Sequence, residues 1–300
     1  MTMDGRAVAM GLAFSLMWSS AFATARVIVT GAPPLAALSL RFLISGLVAV
    51  ALARALGQSW RLTGTQARSV VVFGLCQNAL YLGLNFIALR SIEASLAAII
   101  ASSMPLMVAL LGRLVWREKV APLGVAGLVT GFLGVALVMG GRMSGGADPF
   151  AIALCVAGAT ALAVATLAVR AASSGGNLLM VVGLQMLVGA VILGIVSALA
   201  ETHFLRPSWQ LAAAFLYQIA VPGLMATFLW FSLVGRAGAV KASAFHFLNP
   251  FFGVAIAAIL LGEHVGLVDG IGVAIAAAGI LAVQLSRTQS TARALRQTRG

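Results

Sequence analysis

Ten apolar runs follow one another along the chain, each long enough to cross a bilayer as a helix, and nothing else in the sequence limits the fold as much. They cover residues 7–29, 35–56, 69–89, 94–116, 120–140, 149–169, 178–200, 209–234, 242–262 and 267–285, and give helices 1 to 10. About 20 apolar residues cross a hydrocarbon core of about 30 Å. Backbone N–H and C=O groups find no water there, so a crossing segment is either a helix or part of a closed barrel. The unbroken runs lack the alternation of barrel strands. Only 9% of the 300 residues are charged, against the roughly 25% of a typical soluble domain. The expected fold is an all-α polytopic membrane protein with no room for a sizeable soluble domain.

A net charge of +12 would point to nucleic acid in a soluble protein. Here the placement of the charges explains it. With the amino terminus inside, the inner side carries Arg6, Arg54, Arg61, Arg68, Arg113, Arg117, Lys119, Arg170, Arg236, Lys241, Arg287, Arg293, Arg296 and Arg299, or 14 of the 19 Lys and Arg residues. The outer side receives only Arg26, Arg41, Arg90, Arg142 and Arg206. The positive-inside rule therefore puts both termini in the cytoplasm, with the tail 287–300 near anionic headgroups. No nucleic-acid partner is needed. Arg6, the apolar run after it and Ala21-Phe22-Ala23 imitate a signal peptide, but the segment has a counterpart in the second half of the chain. Cys76 and Cys155 both fall inside spans, so neither a disulfide framework nor a metal site is expected.

That counterpart belongs to an internal repeat. A shift of 145 positions places Pro105 on Pro250, Glu118 on Glu263, Gly127 on Gly272 and Gly134 on Gly279; a shift of 144 places Arg26 on Arg170. Two five-helix halves follow, 1–146 and 147–286, with 287–300 as a basic cytoplasmic tail. An odd number of crossings inverts the second half, an arrangement that transporters use for alternating access. Pro105 and Pro250 lie well inside helices 4 and 9, where each removes a backbone hydrogen bond. They are candidate hinges, or else kinks that shape packing.

The order of further motifs carries a resemblance. Helix 1 has Trp18-Ser19-Ser20-Ala21-Phe22, and helix 2 opens with Pro33-Pro34 followed by Ala36-Ala37-Leu38-Ser39-Leu40-Arg41-Phe42. Helices 3 to 5 have Ala88-Leu89, Ala94-Ser95, Pro105-Leu106, Glu118 and the glycines from 127 to 134. Helices 8 to 10 have Leu229-Trp230-Phe231, Gly238-Ala239, Asn249-Pro250-Phe251, Leu261-Gly262-Glu263 and the pair Gly272 and Gly279. The chain resembles the EamA family of the drug/metabolite transporter superfamily over almost its whole length. One departure is Trp116-Arg117-Glu118, where the family more often has Gly before the Glu. The resemblance implies a ten-helix carrier of small metabolites, many members exporting amino acids. It also implies a central cavity lined by helices 1, 3, 4, 6, 8 and 9, with helices 5 and 10 peripheral.

Several residues are candidates for that cavity. Gln77, Asn78, Tyr81 and Asn85 share one polar stripe of helix 3 at helical spacing. Polar groups facing lipid are costly, so the stripe is expected to face a substrate cavity, with hydrogen bonding to neighbouring helices as the other reading. Trp18 and Trp230 are candidate walls, with Phe14, Phe228 and Phe231 in support. Ser102 and Ser103 precede Pro105 as small helix contacts or substrate donors. His246, beside Asn249, reads as a neutral core histidine, or alternatively as a proton carrier or carboxylate ligand. Arg41, the deepest arginine, is expected to snorkel, with pairing to a substrate carboxylate as the alternative. Glu118 and Glu263 are expected to accept local hydrogen bonds, and Gly124, Gly127, Gly131 and Gly134 to form a close-packing face.

No carboxylate lies near the middle of a span, so passive or weakly coupled transport, driven by the substrate gradient, is expected. No GxSxG, HExxH, P-loop or GxGxxG pattern occurs, and no catalytic residue, cofactor or metal is expected. The sequence therefore reads as a bacterial inner-membrane carrier whose partners are a small-molecule substrate and the bilayer. Amino acids, aromatic or large neutral first, are the expected substrates. Cationic drugs, nucleosides or a solute channel are the alternatives.

Overall fold

The computed structural model describes residues 5–115, 117, 120–168, 177–202, 204–237, 242 and 245–297. Trp116, Glu118, Lys119, Arg170, His203, Gly238, Ala239 and Lys241 lie outside the described residues. No strand occurs among the described residues. Nine of their helices are long and apolar enough to cross a membrane, and Phe245–Leu261 is a shorter apolar helix. Helix 1 is Gly5–Gly31, helix 2 Pro34–Ala55, helix 5 Pro122–Ser144, helix 6 Pro149–Ala168 and helix 7 Leu178–Ala200. Helix 3 begins at Gly64, earlier than its apolar run, because Thr63 and Gln66 close a capping box. Helix 10, Leu267–Gln297, continues past its apolar run into the basic tail. Large apolar side chains such as Leu47, Leu133 and Ile259 stand exposed along the helices, as lipid-facing surfaces do and water-facing ones rarely do.

Helices 3, 4, 8 and 9 are not regular, and their irregularities fall at positions related by the repeat. Helix 3 has a π-helical stretch at Gly74–Leu82, and helix 8, which starts at Trp209, has one at Ile219–Met225. A shift of 145 carries Gly74 onto Ile219. Helix 4 ends its first part, Ala94–Ser102, and restarts as Met104–Val115. Helix 9 passes from a 3-10 turn, Phe245–Leu248, into Asn249–Leu261. The same shift carries Met104 onto Asn249. Pro105 and Pro250 are thus not in helix interiors, as the sequence suggested. Each occupies the first turn of a new segment, where a missing N–H costs nothing.

By contacts the chain forms two compact units, each drawing on both halves of the sequence. Unit 1 takes residues 1–23, 93–148 and 225–300, and unit 2 takes residues 24–92 and 149–224. In unit 1, helix 5 lies along helix 10 and helix 4 packs on helix 9. In unit 2, helix 2 lies along helix 7, and helix 3 packs on helices 6 and 7. In three of these pairs a helix meets the one five places further along the chain.

The pair of helices 5 and 10 shows why the glycines recur. A Cβ on Gly127 would sit 2.8 Å from the carbonyl oxygen of Gly279, and one on Gly279 would sit 2.6 Å from that of Gly127. A Cβ on Gly134 would sit 2.7 Å from the oxygen of Gly272, and one on Gly272 would sit 2.9 Å from that of Gly134. Because Gly127 corresponds to Gly272 and Gly134 to Gly279, exchanging the two copies returns the same contacts, as at an isologous interface. The numbering runs in opposite directions along the two helices. The two-fold axis exchanging them is therefore perpendicular to the helices.

Carboxylates hold helix ends from far along the chain. Glu201 accepts the N–H groups of Leu35 at 2.8 Å and Ala36 at 2.9 Å, and also the Ser197 hydroxyl at 2.6 Å. Glu263 accepts the N–H groups of Ala94 at 2.7 Å and Ser95 at 2.9 Å. Both carboxylates satisfy donors that a helix N-terminus leaves open and oppose its positive dipole end. The Glu263 bonds are long-range, not local as the sequence suggested; Glu118 lies outside the described residues. In unit 1 Arg142 clamps Asp269 through Nε at 3.0 Å and Nη2 at 2.9 Å, pairs with Glu93, and donates to the His264 carbonyl at 3.1 Å.

Candidate substrate-binding site

Unit 1 contains an aromatic cluster built by three helices. Phe14 lies 4.8 Å from Trp230, 5.8 Å from Trp18 and 5.6 Å from His246, between ring centroids. The His246 ring meets Trp230 edge-on at 5.2 Å. Edge and tilted contacts at these distances are the favoured arrangements of aromatic rings. Phe14 is buried, whereas Trp18, Trp230 and His246 stay partly exposed, so three rings keep surface available to a ligand. Phe228 is 73% exposed and takes no part in these ring contacts, against the sequence expectation.

Polar groups border these rings. The Ser15 hydroxyl donates to the Phe245 carbonyl at 2.9 Å, and the Ser19 hydroxyl donates to the Asn249 carbonyl at 3.2 Å. These bonds fasten helix 1 to the break in helix 9. Asn249 is buried, and its Oδ1 has no hydrogen-bond partner. A buried amide oxygen left in this state is an acceptor awaiting a donor. Gly11 admits the Phe245 ring, which a Cβ there would strike.

The helix 3 stripe in unit 2 is placed differently from the sequence reading. Asn78, Tyr81 and Asn85 are buried, while Gln77 is only half-buried. The π-helical stretch alters the turn that would have aligned all four. The Asn78 amide donates to the Gln185 carbonyl of helix 7 at 2.8 Å, and the Asn85 amide donates to the Tyr81 carbonyl at 2.7 Å. Gly158 of helix 6 lets Tyr81 and Asn85 approach; a Cβ there would lie 3.0 Å from Asn85 Nδ2. These residues join helices, with one Asn85 oxygen left without a partner. Ser102 and Ser103 are also turned inward. Each hydroxyl donates at 2.6 Å to a carbonyl of its own helix, Ala98 and Ile100 respectively.

Sequence reasoning missed or misplaced other groups. Arg41 does not snorkel. It is 6% exposed, its Nε has no partner, and its guanidinium carbon lies 5.3 Å from the Phe42 ring centroid. Gln218 of helix 8 is fully buried and donates to the Thr24 hydroxyl of helix 1 at 2.9 Å. Pro222, inside the helix 8 π-helical stretch, carried the same mid-span signal as Pro105. An apolar cavity of about 590 Å³ in unit 2, lined between Ile28 and Leu40 and between Phe204 and Phe215, contains none of the expected site residues.

Apolar helices of membrane-spanning length, with breaks at positions related by an internal repeat, make this a polytopic membrane protein. The EamA-like transporter family model matches residues 5–140 and again 149–285, and the chain belongs to that family. It is 26% identical over 254 residues to the uncharacterized transporter YvbV of Bacillus subtilis, covering 84% of this chain and 83% of that protein. A WAT1-related chloroplastic protein of Arabidopsis thaliana is 22% identical, covering 89% of this chain and 66% of that protein. A crystal structure of a protein 20% identical in sequence superposes with a TM-score of 0.67, covering 93% of this chain and 98% of that one. The protein is a multi-pass membrane transporter rather than an enzyme.

Proposed function

We propose that the chain exports small metabolites across a bacterial inner membrane by alternating access, with large neutral or aromatic amino acids as the first substrates. In this reading both termini are cytoplasmic, and residues 1–146 and 147–286 act as inverted repeats. The paired breaks in helices 4 and 9 and the paired π-helical stretches in helices 3 and 8 support it, because structurally equivalent irregular segments give each half the same place to bend. The observation that carries the substrate class is the ring cluster of Phe14, Trp18, Trp230 and His246 beside the buried acceptor of Asn249. Partly exposed rings offer an apolar wall to a large side chain, and their faces attract an ammonium group. The amide oxygen accepts one of its N–H groups. Pro105 and Pro250 mark the restart points.

Reconstitution in proteoliposomes with amino acids, nucleosides and cationic drugs tests this reading. Trp230→Ala is expected to raise the KM for phenylalanine by about 10-fold, the upper range for one aromatic contact, while alanine uptake changes little. Transport of cationic drugs alone would replace amino acids with that class, and non-saturating flux would make the protein a channel. The described spans hold no mid-membrane carboxylate, so the substrate gradient is the driving force in this reading. An imposed proton gradient without a solute gradient is expected to give no uphill accumulation in the same vesicles. Accumulation there would establish proton coupling.

A further inference from the structure

Arg41 sits seven residues past Pro34, roughly 10 Å along helix 2 at 1.5 Å per residue, and it is 6% exposed. Among the described residues no hydrogen bond or ion pair reaches its side chain, and Nε is a buried donor with no partner. Ser45 follows one turn later on the same helix face. It too is buried with its Oγ unpartnered. Helix 8 brings its backbone up to this point: a Cβ on Gly223 would lie 3.2 Å from Ser45 Oγ. Unit 2 contains one acidic residue in its whole sequence, Glu201. That carboxylate is taken by Leu35, Ala36 and Ser197. The unit therefore buries a cation within an apolar span and has no carboxylate free to pair with it; the Phe42 ring face is the group placed against its guanidinium.

An uncompensated charge in such surroundings is expensive, and a bound anion would relieve that cost. The planar guanidinium fork matches the two oxygens of a carboxylate. We propose that Arg41 and Ser45 form a subsite, within unit 2, for the carboxylate of a small-molecule solute. Arg41 makes the charged contact and the Ser45 hydroxyl donates a further hydrogen bond. This inference rests on the amino-acid reading above for its substrate class, and a binding measurement separates the two.

The test compares L-phenylalanine and L-leucine with their amides, which lack the negative charge, and with inorganic phosphate. Thermal stabilisation of the purified protein in detergent reads binding, and proteoliposome uptake reads transport. The acids are expected to stabilise the wild type and the amides to do so far less. Arg41→Gln is expected to remove that preference and to lower acid uptake by about 10-fold to 100-fold, the loss of a charge-assisted hydrogen bond. Arg41→Lys and Ser45→Ala, which keep the positive charge, are expected to reduce the acid-over-amide ratio by smaller factors. They decide the matter if Arg41→Gln does not fold. An unchanged ratio in folded variants, or a wild type stabilised equally by acids and amides or by phosphate alone, overturns the subsite. Acid binding lost in Arg41→Gln without any uptake by the wild type would uphold the subsite and refute amino-acid export.

Discussion

Replacing Gly279 with alanine is expected to destabilise unit 1 strongly. The new Cβ would overlap the Gly131 backbone and sit 2.6 Å from the Gly127 carbonyl oxygen. Backbone inside a packed helix cannot rotate aside as a flexible side chain can. Helices 5 and 10 must therefore separate along the seam where they approach most closely. The cost is expected at the upper end of the ~1–3 kcal/mol usual for overpacking, lost as dispersion contact along both helices. Gly270→Ala, on the same helix with nothing within 4 Å of the new Cβ, serves as the control and should be neutral or slightly stabilising. Thermal unfolding in detergent, followed by loss of the size-exclusion peak, separates the two. Equal melting would refute the close approach.

The same seam shows what the sequence made legible. Gly124, Gly127, Gly131 and Gly134 recur at helical spacing, and apolar runs of bilayer length recur with them. Both are local periodicities, so the spans and the packing face could be read directly. The helix breaks show in the sequence only as Pro105 and Pro250, which start new segments and do not kink continuous ones. Proline reports that a hydrogen bond is missing, but not whether the chain kinks there or begins a new segment. The π-helical stretch in helix 3 has no proline, and Gln77 within it is less buried than Asn78, Tyr81 and Asn85.

Long-range partners were the least legible of all. Glu201 accepts from Leu35, 166 residues earlier, and nothing near it in sequence indicates that. Charge counting likewise put Arg41 with the snorkelling arginines. Ser45, one turn further along, meets helix 8 at Gly223, a contact between distant segments. The aromatic cluster was half legible: Trp18, Trp230 and His246 were named singly, and the structure brings them together through Phe14.

Arg142→Ala should produce the other large loss of stability, for an electrostatic reason. The side chain of Asp269 is 10% exposed, and Arg142 meets both of its carboxylate oxygens while also pairing with Glu93. Removing the arginine leaves two neighbouring carboxylates with no cation, one of them largely buried. Breaking a buried pair on one side typically costs ~3–5 kcal/mol; Glu93, 42% exposed at its side chain, retains solvent to share the charge, so the lower end is expected. Asp269 has a second duty, accepting the Gly266 N–H at 2.9 Å where helix 10 begins. The double variant Arg142→Met with Asp269→Asn removes the stranded charge and keeps that acceptor. It should therefore melt well above Arg142→Ala, although it has lost more of the native ion-pair network. If the double variant were instead the less stable, the attraction within the cluster would outweigh its desolvation cost. The clamp joining the ends of helices 4, 5 and 10 would then be a net source of stability for unit 1.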